Sequence, residues 1–132
     1  MTDTRAKTNG AHHVGLTVPD VHAATAFFID ALGFRQVGGN PDYPATFVSD
    51  GAIMITLWQA ESPERATPFD RRANIGLHHL ALRAKDIDGL AAELGRRDDV
   101  QIEFQPEDLG ATGIQHMMCR IPGNIRVEFI AA

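Results

Sequence analysis

LHHLALRAKDI, residues 77–87, is a second copy of AHHVGLTVPDV, residues 11–21. Laid over one another they match as His12/His78, His13/His79, Leu16/Leu82, Asp20/Asp86 and Val21/Ile87, all at one offset of 66, which is 79 minus 13. A shared offset over that many positions marks an internal repeat, and a repeat decides the architecture before any local reading does. The far ends of the halves repeat as well. DGAIMITLW, residues 50–58, matches PGNIRVEFI, residues 122–130, through Gly51/Gly123, Ile53/Ile125, Ile55/Val127, Thr56/Glu128 and Leu57/Phe129, at an offset of 72, which is 128 minus 56. The six extra residues of the second half belong in a loop between its helix and its last strand.

Each copy reads as a strand running into a helix. His13, Gly15 and Thr17 alternate with Val14, Leu16 and Val18, so one face is apolar and the other carries the histidine. His12 and His78 fall on the opposite side by the same alternation and are expected to be buried structural partners. Asp20 and Asp86 stand where helix N-caps belong, each worth about 1 kcal/mol through the free amides of the first turn. Val21, Ala24, Phe27, Phe28 and Leu32 form a helical stripe ended by Gly33; Ile87, Leu90 and Leu94 form the second, ended by Gly95.

Strands are expected at 34–37, 45–49 and 52–58 in the first half and at 100–104, 114–120 and 125–130 in the second. GGNPDYP, residues 38–44, and residues 105–113 read as loops. The fold class is therefore α+β: two βαβββ modules, about 11–58 and 77–132, joined by the polar, proline-broken linker 59–76. Residues 1–10 are expected to be a flexible tail. One module has a polar-bearing sheet face that it cannot hide alone; two side by side are expected to bend into a half-barrel around a central cavity.

The 132 residues suffice for one domain with a core that needs no staples. The single cysteine, Cys119, excludes an internal disulfide and suits a reducing cytoplasm. MTDTRAKTNG has no apolar run, so no signal peptide is expected, and no stretch is long enough for a membrane span. A net charge of −5 argues against nucleic acid and leaves a small molecule as the partner.

Candidate chemistry follows from the faces of the strands. On the last strand Arg126, Glu128 and Ile130 alternate with Ile125, Val127 and Phe129, and the apolar trio belongs under the helices. Glu128 is then expected in the hollow with His13 and His79. Two imidazoles and a carboxylate are the ligand set of a divalent ion with open positions, suited to iron, manganese, nickel or zinc. His116 shares the face of Glu128 and is a candidate general acid or base beside it. Met54, Thr56 and Trp58 are candidate walls of a substrate pocket, with Arg83 and Arg126 as candidate partners for a substrate carboxylate. Cys119 faces away from His116 and reads as packing.

The paired modules, the openings HHVGLTVPD and LHHLALRAKD and the closing IPGNIRVEFI resemble the vicinal oxygen chelate superfamily, over nearly everything after residue 10. That superfamily includes glyoxalase I, methylmalonyl-CoA epimerase, extradiol dioxygenases, fosfomycin resistance enzymes and bleomycin-binding proteins. The resemblance implies a glyoxalase-like fold, a homodimer, and metal ligands at His13, His79 and Glu128. Glyoxalase I has a further glutamate where this chain has Thr56, so a four-ligand site is incomplete. The tyrosine of the extradiol enzymes and the lysine and serines of the fosfomycin enzymes also lack counterparts: the only tyrosine is Tyr43, and Gly110 and Ile114 occupy the fosfomycin positions. The expected function is a metal-dependent isomerase, lyase or dioxygenase that chelates two neighbouring oxygens of a small substrate. The alternative is a metal-free, ligand-sequestering protein of the bleomycin-resistance type.

Overall fold

The computed structural model describes residues 5–132. Part of the expected tail, residues 1–4, lies outside the described residues, and residues 5–10 are exposed. The chain forms two compact units, one ending at Glu61 and the other spanning Ser62–Ala132, so most of the expected linker belongs with the second.

The first unit runs β1 (His13–Val18), α1 (Val21–Asp30), β2 (Arg35–Asn40), β3 (Ala45–Ser49) and β4 (Met54–Gln59), in the sheet order β1-β4-β3-β2. The second has a short 3-10 turn at Pro63–Arg65. It then repeats the plan with β5 (Leu80–Arg83), α2 (Ile87–Gly95), β6 (Gln101–Asp108), β7 (Gln115–Ile121) and β8 (Ile125–Ile130), in the order β5-β8-β7-β6. In each sheet the first strand runs parallel to the last and the others pair antiparallel. The α+β fold of two βαβββ modules is as the repeat implied.

The caps explain why the helices start where they do. The Asp20 carboxylate accepts from the amides of His22 and Ala23 at 3.0 and 3.1 Å, and that of Asp86 from Gly89 at 3.1 Å. Helix α1 stops two residues before the expected Leu32. Gly33 takes a left-handed φ of 72°, and its N–H bonds to the Ile29 carbonyl at 3.1 Å. Under α1 lie Val21, Ala24, Phe27 and Phe28 against Leu16, Val18, Val48, Ile55 and Leu57, all buried. In the second unit Ile87, Ala91 and Leu94 of α2 are buried, as are Leu80, Leu82, Met117, Cys119, Val127 and Phe129 of the sheet.

Two strands outrun their expected ends. Strand β2 continues through Gly38, Gly39 and Asn40, which read as loop, because close neighbours there leave no room for side chains. A Cβ on Gly38 would stand 3.0 Å from the Phe47 ring, and one on Gly39 2.9 Å from the Ala45 carbonyl oxygen. Strand β6 continues to Asp108 through Pro106, with register shifts between Ile102 and Phe104 and between Phe104 and Glu107. It is an edge strand, where a missing N–H is tolerated and bulges are common.

Candidate functional site

In the second unit the sheet face opposite α2 carries a continuous series of polar contacts. The register sets Met118 across from Glu128 and Arg120 across from Arg126, so both charged β8 residues point the same way as His116 on β7. Glu128 stands between two imidazoles: His79 Nε2 is 3.2 Å from Oε1 and His116 Nδ1 is 2.6 Å from Oε2. Glu128 is only 8% exposed, and the His116 ring packs on Phe104 with centroids 4.9 Å apart. Three of the residues expected in the site, His79, His116 and Glu128, are therefore brought together within one unit.

His78 was expected on the far side and buried; it is exposed, because β5 begins only at Leu80 and strand alternation does not extend to the residue two before it. The same correction applies to His12, which is exposed. His78 Nδ1 instead faces His79 Nδ1 at 2.8 Å and an Arg126 terminal nitrogen at 3.4 Å. Partial desolvation, and then the Arg126 charge, lower the pKa of His78. Arg126 in turn donates twice to Glu103, from Nε to Oε2 at 2.9 Å and from its other terminal nitrogen to Oε1 at 3.1 Å. Those two bonds hold the Glu103 carboxyl below the usual carboxylate range.

The donor inventory assigns protons along this series. His78 Nδ1 has one lone pair and faces two groups that can donate, the Arg126 guanidinium at 3.4 Å and His79 Nδ1 at 2.8 Å; when the nearer contact is donated by His79, its proton is on Nδ1. Neutral His79 is left with a lone pair on Nε2, facing a carboxylate oxygen that also only accepts. Two acceptors 3.2 Å apart call for a cation between them, a second proton on the ring or a metal ion. One imidazole nitrogen and one carboxylate oxygen are donor types that a divalent ion accepts, so His79 and Glu128 would suit one. His116 points at the other carboxylate oxygen. Among the described residues, no group of three or more His, Cys, Asp or Glu side chains is set to hold an ion.

The remaining expected residues divide between the units. His13 opens β1 in the first unit, is exposed, and has its Nδ1 2.9 Å from that of His12. Also in that unit, Thr56 is 3% exposed and accepts from Trp58 Nε1 at 2.9 Å, and Trp58 packs edge-on against Tyr43 at 4.9 Å. Met54 is half-buried on the same face. Arg126 is buried and paired, whereas Arg83 is exposed on β5. Burial pushes the Cys119 thiol up to about 12, in keeping with a packing role. Glu103 and Arg120 were not foreseen. Their signal was faint: the β6 bulge turns Glu103 toward β8, and bulges are not visible in a period-two pattern.

The model of the Glyoxalase/Bleomycin resistance protein/Dioxygenase superfamily matches residues 10–129. The chain belongs to this superfamily. Within the superfamily it is similar to a 2-epi-5-epi-valiolone epimerase from an Actinomyces species, 26% identical, with 74% of this chain and 64% of that protein covered. The chain thus spans under two-thirds of the length of that curated relative. A glyoxalase/bleomycin resistance protein/dioxygenase domain from Frankia sp. EAN1pec has a similar fold, with a TM-score of 0.78 at 20% identity over 94% of this chain and 98% of that one. So does the lactoylglutathione lyase from Agrobacterium tumefaciens, with a TM-score of 0.70 at 19% identity over 95% of each chain.

Proposed function

We propose that this superfamily member is a metal-dependent isomerase that removes and returns a proton at a carbon next to a carbonyl in a small substrate with two neighbouring oxygens. The observation that carries the reading is the His116–Glu128 pair, with Nδ1 and Oε2 2.6 Å apart. If Nδ1 carries the proton that Glu128 accepts, Nε2 of neutral His116 is left as the base. The carboxylate fixes that tautomer, orients the ring, and stabilises the imidazolium formed when Nε2 takes up a substrate proton. Delivery of a solvent proton to the opposite face of the same carbon, with the imidazolium giving its own proton to solvent, inverts that carbon, which is an epimerisation. The name of the Actinomyces relative supports this class of reaction.

His79 and Glu128 are proposed as metal ligands, and His13 as the third. The support for His13 is the repeat: it matches His79 at the offset of 66 and belongs to a doublet of the same geometry. A divalent ion held there supplies Lewis-acid polarisation of two neighbouring substrate oxygens, which makes the adjacent C–H more acidic. Iron, manganese, nickel and zinc all accept this donor set.

Deuterium exchange tests the proposal directly. The protein is incubated in D2O with each of the four metals and a panel of linear and cyclic 2-hydroxy ketones, and followed by proton NMR. Deuterium is expected at the carbon beside the carbonyl with the wild type and is expected to be lost with His116→Ala. Absence of exchange under every metal rejects the isomerase, and oxygen uptake on catechols would then favour a dioxygenase. A second reading, ligand sequestration without turnover, is favoured by the aromatic group of Tyr43, Phe47 and Trp58 on one face of the first unit. Saturable ligand binding that is indifferent to metal and accompanied by no turnover would select it.

A further inference from the structure

We propose that the second unit carries an oxyanion site beside Glu128, which takes a phosphate or carboxylate group borne by the substrate. A cleft of about 460 Å³ lies entirely within this unit, and Phe69, Arg71, Glu103, Arg120, Asn124 and Arg126 line it. Three guanidinium groups meet there, against two carboxylates, those of Glu103 and Asp70. One positive charge is left over.

Hydrogen bonding shows where the surplus sits. Both oxygens of Glu103 are taken by Arg126. Arg120 Nε stands 3.6 Å from Glu103 Oε2, beyond hydrogen-bond reach, and is buried with no hydrogen-bond partner among the described residues. Its side-chain bond to Asn124 Oδ1 is long at 3.3 Å. Asp70 Oδ1 is turned to its own loop, where it accepts from the amides of Arg72 and Ala73. Nε is buried in this long ion pair with Glu103, whereas the Arg120 side chain as a whole is 32% exposed, so an anion in the cleft meets its terminal nitrogens, which bond best to a charged oxygen. Arg71, exposed on the loop, adds a second cation close enough to act on both Glu103 and His78.

The placement suits the proposed reaction and deepens it by naming the substrate class. Arg126 and Glu128 are two residues apart on one face of β8, roughly 7 Å along the strand. An anion held by Arg120 and Arg71 therefore lies at the level of Arg126, one step along the same face from Glu128. The substrate class is a hydroxy ketone that carries a phosphate or a carboxylate.

Calorimetric titration of the full chain with inorganic phosphate and, separately, acetate, at constant ionic strength, tests the site without any turnover. Saturable binding of at least one anion is expected, weakened tenfold or more in Arg120→Gln and severalfold in Arg71→Gln. Tighter phosphate binding assigns a phosphorylated substrate, and tighter acetate binding a carboxylate. No saturable binding of either, or binding untouched by both substitutions, overturns the proposal. Arg71 is exposed, so its variant keeps the test valid if Arg120→Gln fails to fold. Anion binding without deuterium exchange would remove the isomerase and leave the anion site standing; exchange without anion binding would do the reverse.

Discussion

The two units share one plan but differ at nearly every position on the sheet face away from the helix. By strand pairing, Met54, Thr56 and Trp58 of β4 correspond to Arg126, Glu128 and Ile130 of β8, and Ala45, Phe47 and Ser49 of β3 to His116, Met118 and Arg120 of β7. The histidine doublets are retained with little change, their Nδ1 atoms 2.9 Å apart in the first unit and 2.8 Å in the second. The helix-side cores are alike too, aliphatic and aromatic in both. Burial beneath the helix therefore fixes the fold in each half and leaves the other face free to diverge. One half became aromatic and neutral, the other ionic, and among the described residues it is the ionic half that sets a carboxylate against an imidazole.

Substituting corresponding positions in the two halves is the sharpest way to break this contrast. Glu128→Gln keeps the shape but removes the charge that orients His116 and faces His79. Deuterium exchange is expected to fall by roughly 10²–10⁴, the usual weight of a positioned acid–base group. Thr56→Val, at the matching place in the first unit, is expected to change the rate by no more than a few-fold. Equal losses from the two would mean that the chemistry is shared between the halves rather than concentrated in one.

The second exchange concerns stability. Arg126→Met copies Met54 into the ionic half and leaves Glu103 without its two hydrogen bonds. Breaking a buried pair costs 3–5 kcal/mol, and because Glu103 keeps 18% of its side chain exposed, about 2–3 kcal/mol is expected in urea unfolding. Glu103→Leu combined with Arg126→Met removes both charges and is expected to return to within about 1 kcal/mol of the wild type. A double variant as weak as the single one would show that the arginine acts by packing.

The response to acid follows from the same side chains. The His78 pKa is lowered in the folded protein, so as pH falls below about 6.5 the unfolded chain gains its proton first and stability declines. The Glu103 pKa is also lowered, so its contribution is complete above the usual carboxylate range and is lost as pH falls through the folded value. Both slopes have the same sign. The melting temperature is expected to drop in two stages on acidification, with His78→Phe removing the upper stage and Glu103→Gln the lower. A profile flat from about pH 7 to 5 would contradict the His78 assignment, and one flat from about pH 5 to 2 the Glu103 assignment.

Much of this was legible in the chain because the repeat is strict where burial is strict. The helix stripes, the caps at Asp20 and Asp86 and the face shared by His116 and Glu128 all depend on local periodicity. What escaped depends on neighbours distant in sequence. Gly38 and Gly39 look like loop until the Phe47 ring and the Ala45 carbonyl are seen beside them. His78 looks buried until β5 is found to start at Leu80. The Glu103–Arg126 pair, 23 residues apart, forms across a bulged edge strand whose register cannot be counted from composition.

The smallest expected effect lies in the neutral half. Gly15 corresponds to Ala81 in the repeat, and its strand conformation is open to any residue. A Cβ there would stand 3.2 Å from Thr56 Oγ1, which is itself held by Trp58 Nε1 at 2.9 Å. Because Thr56 is buried and pinned by that bond, it yields poorly. Gly15→Ala is therefore expected to destabilise by less than about 1 kcal/mol, despite the unfolded-state entropy that favours alanine by about 0.4–1 kcal/mol. In a Trp58→Phe background the ring remains but the N–H is gone, so the threonine hydroxyl can turn aside. There the same substitution is expected to become neutral or mildly stabilising. A double-mutant cycle read by circular dichroism in urea isolates that coupling, and strict additivity would show that the indole N–H is not what holds the first unit's face closed against a methyl group.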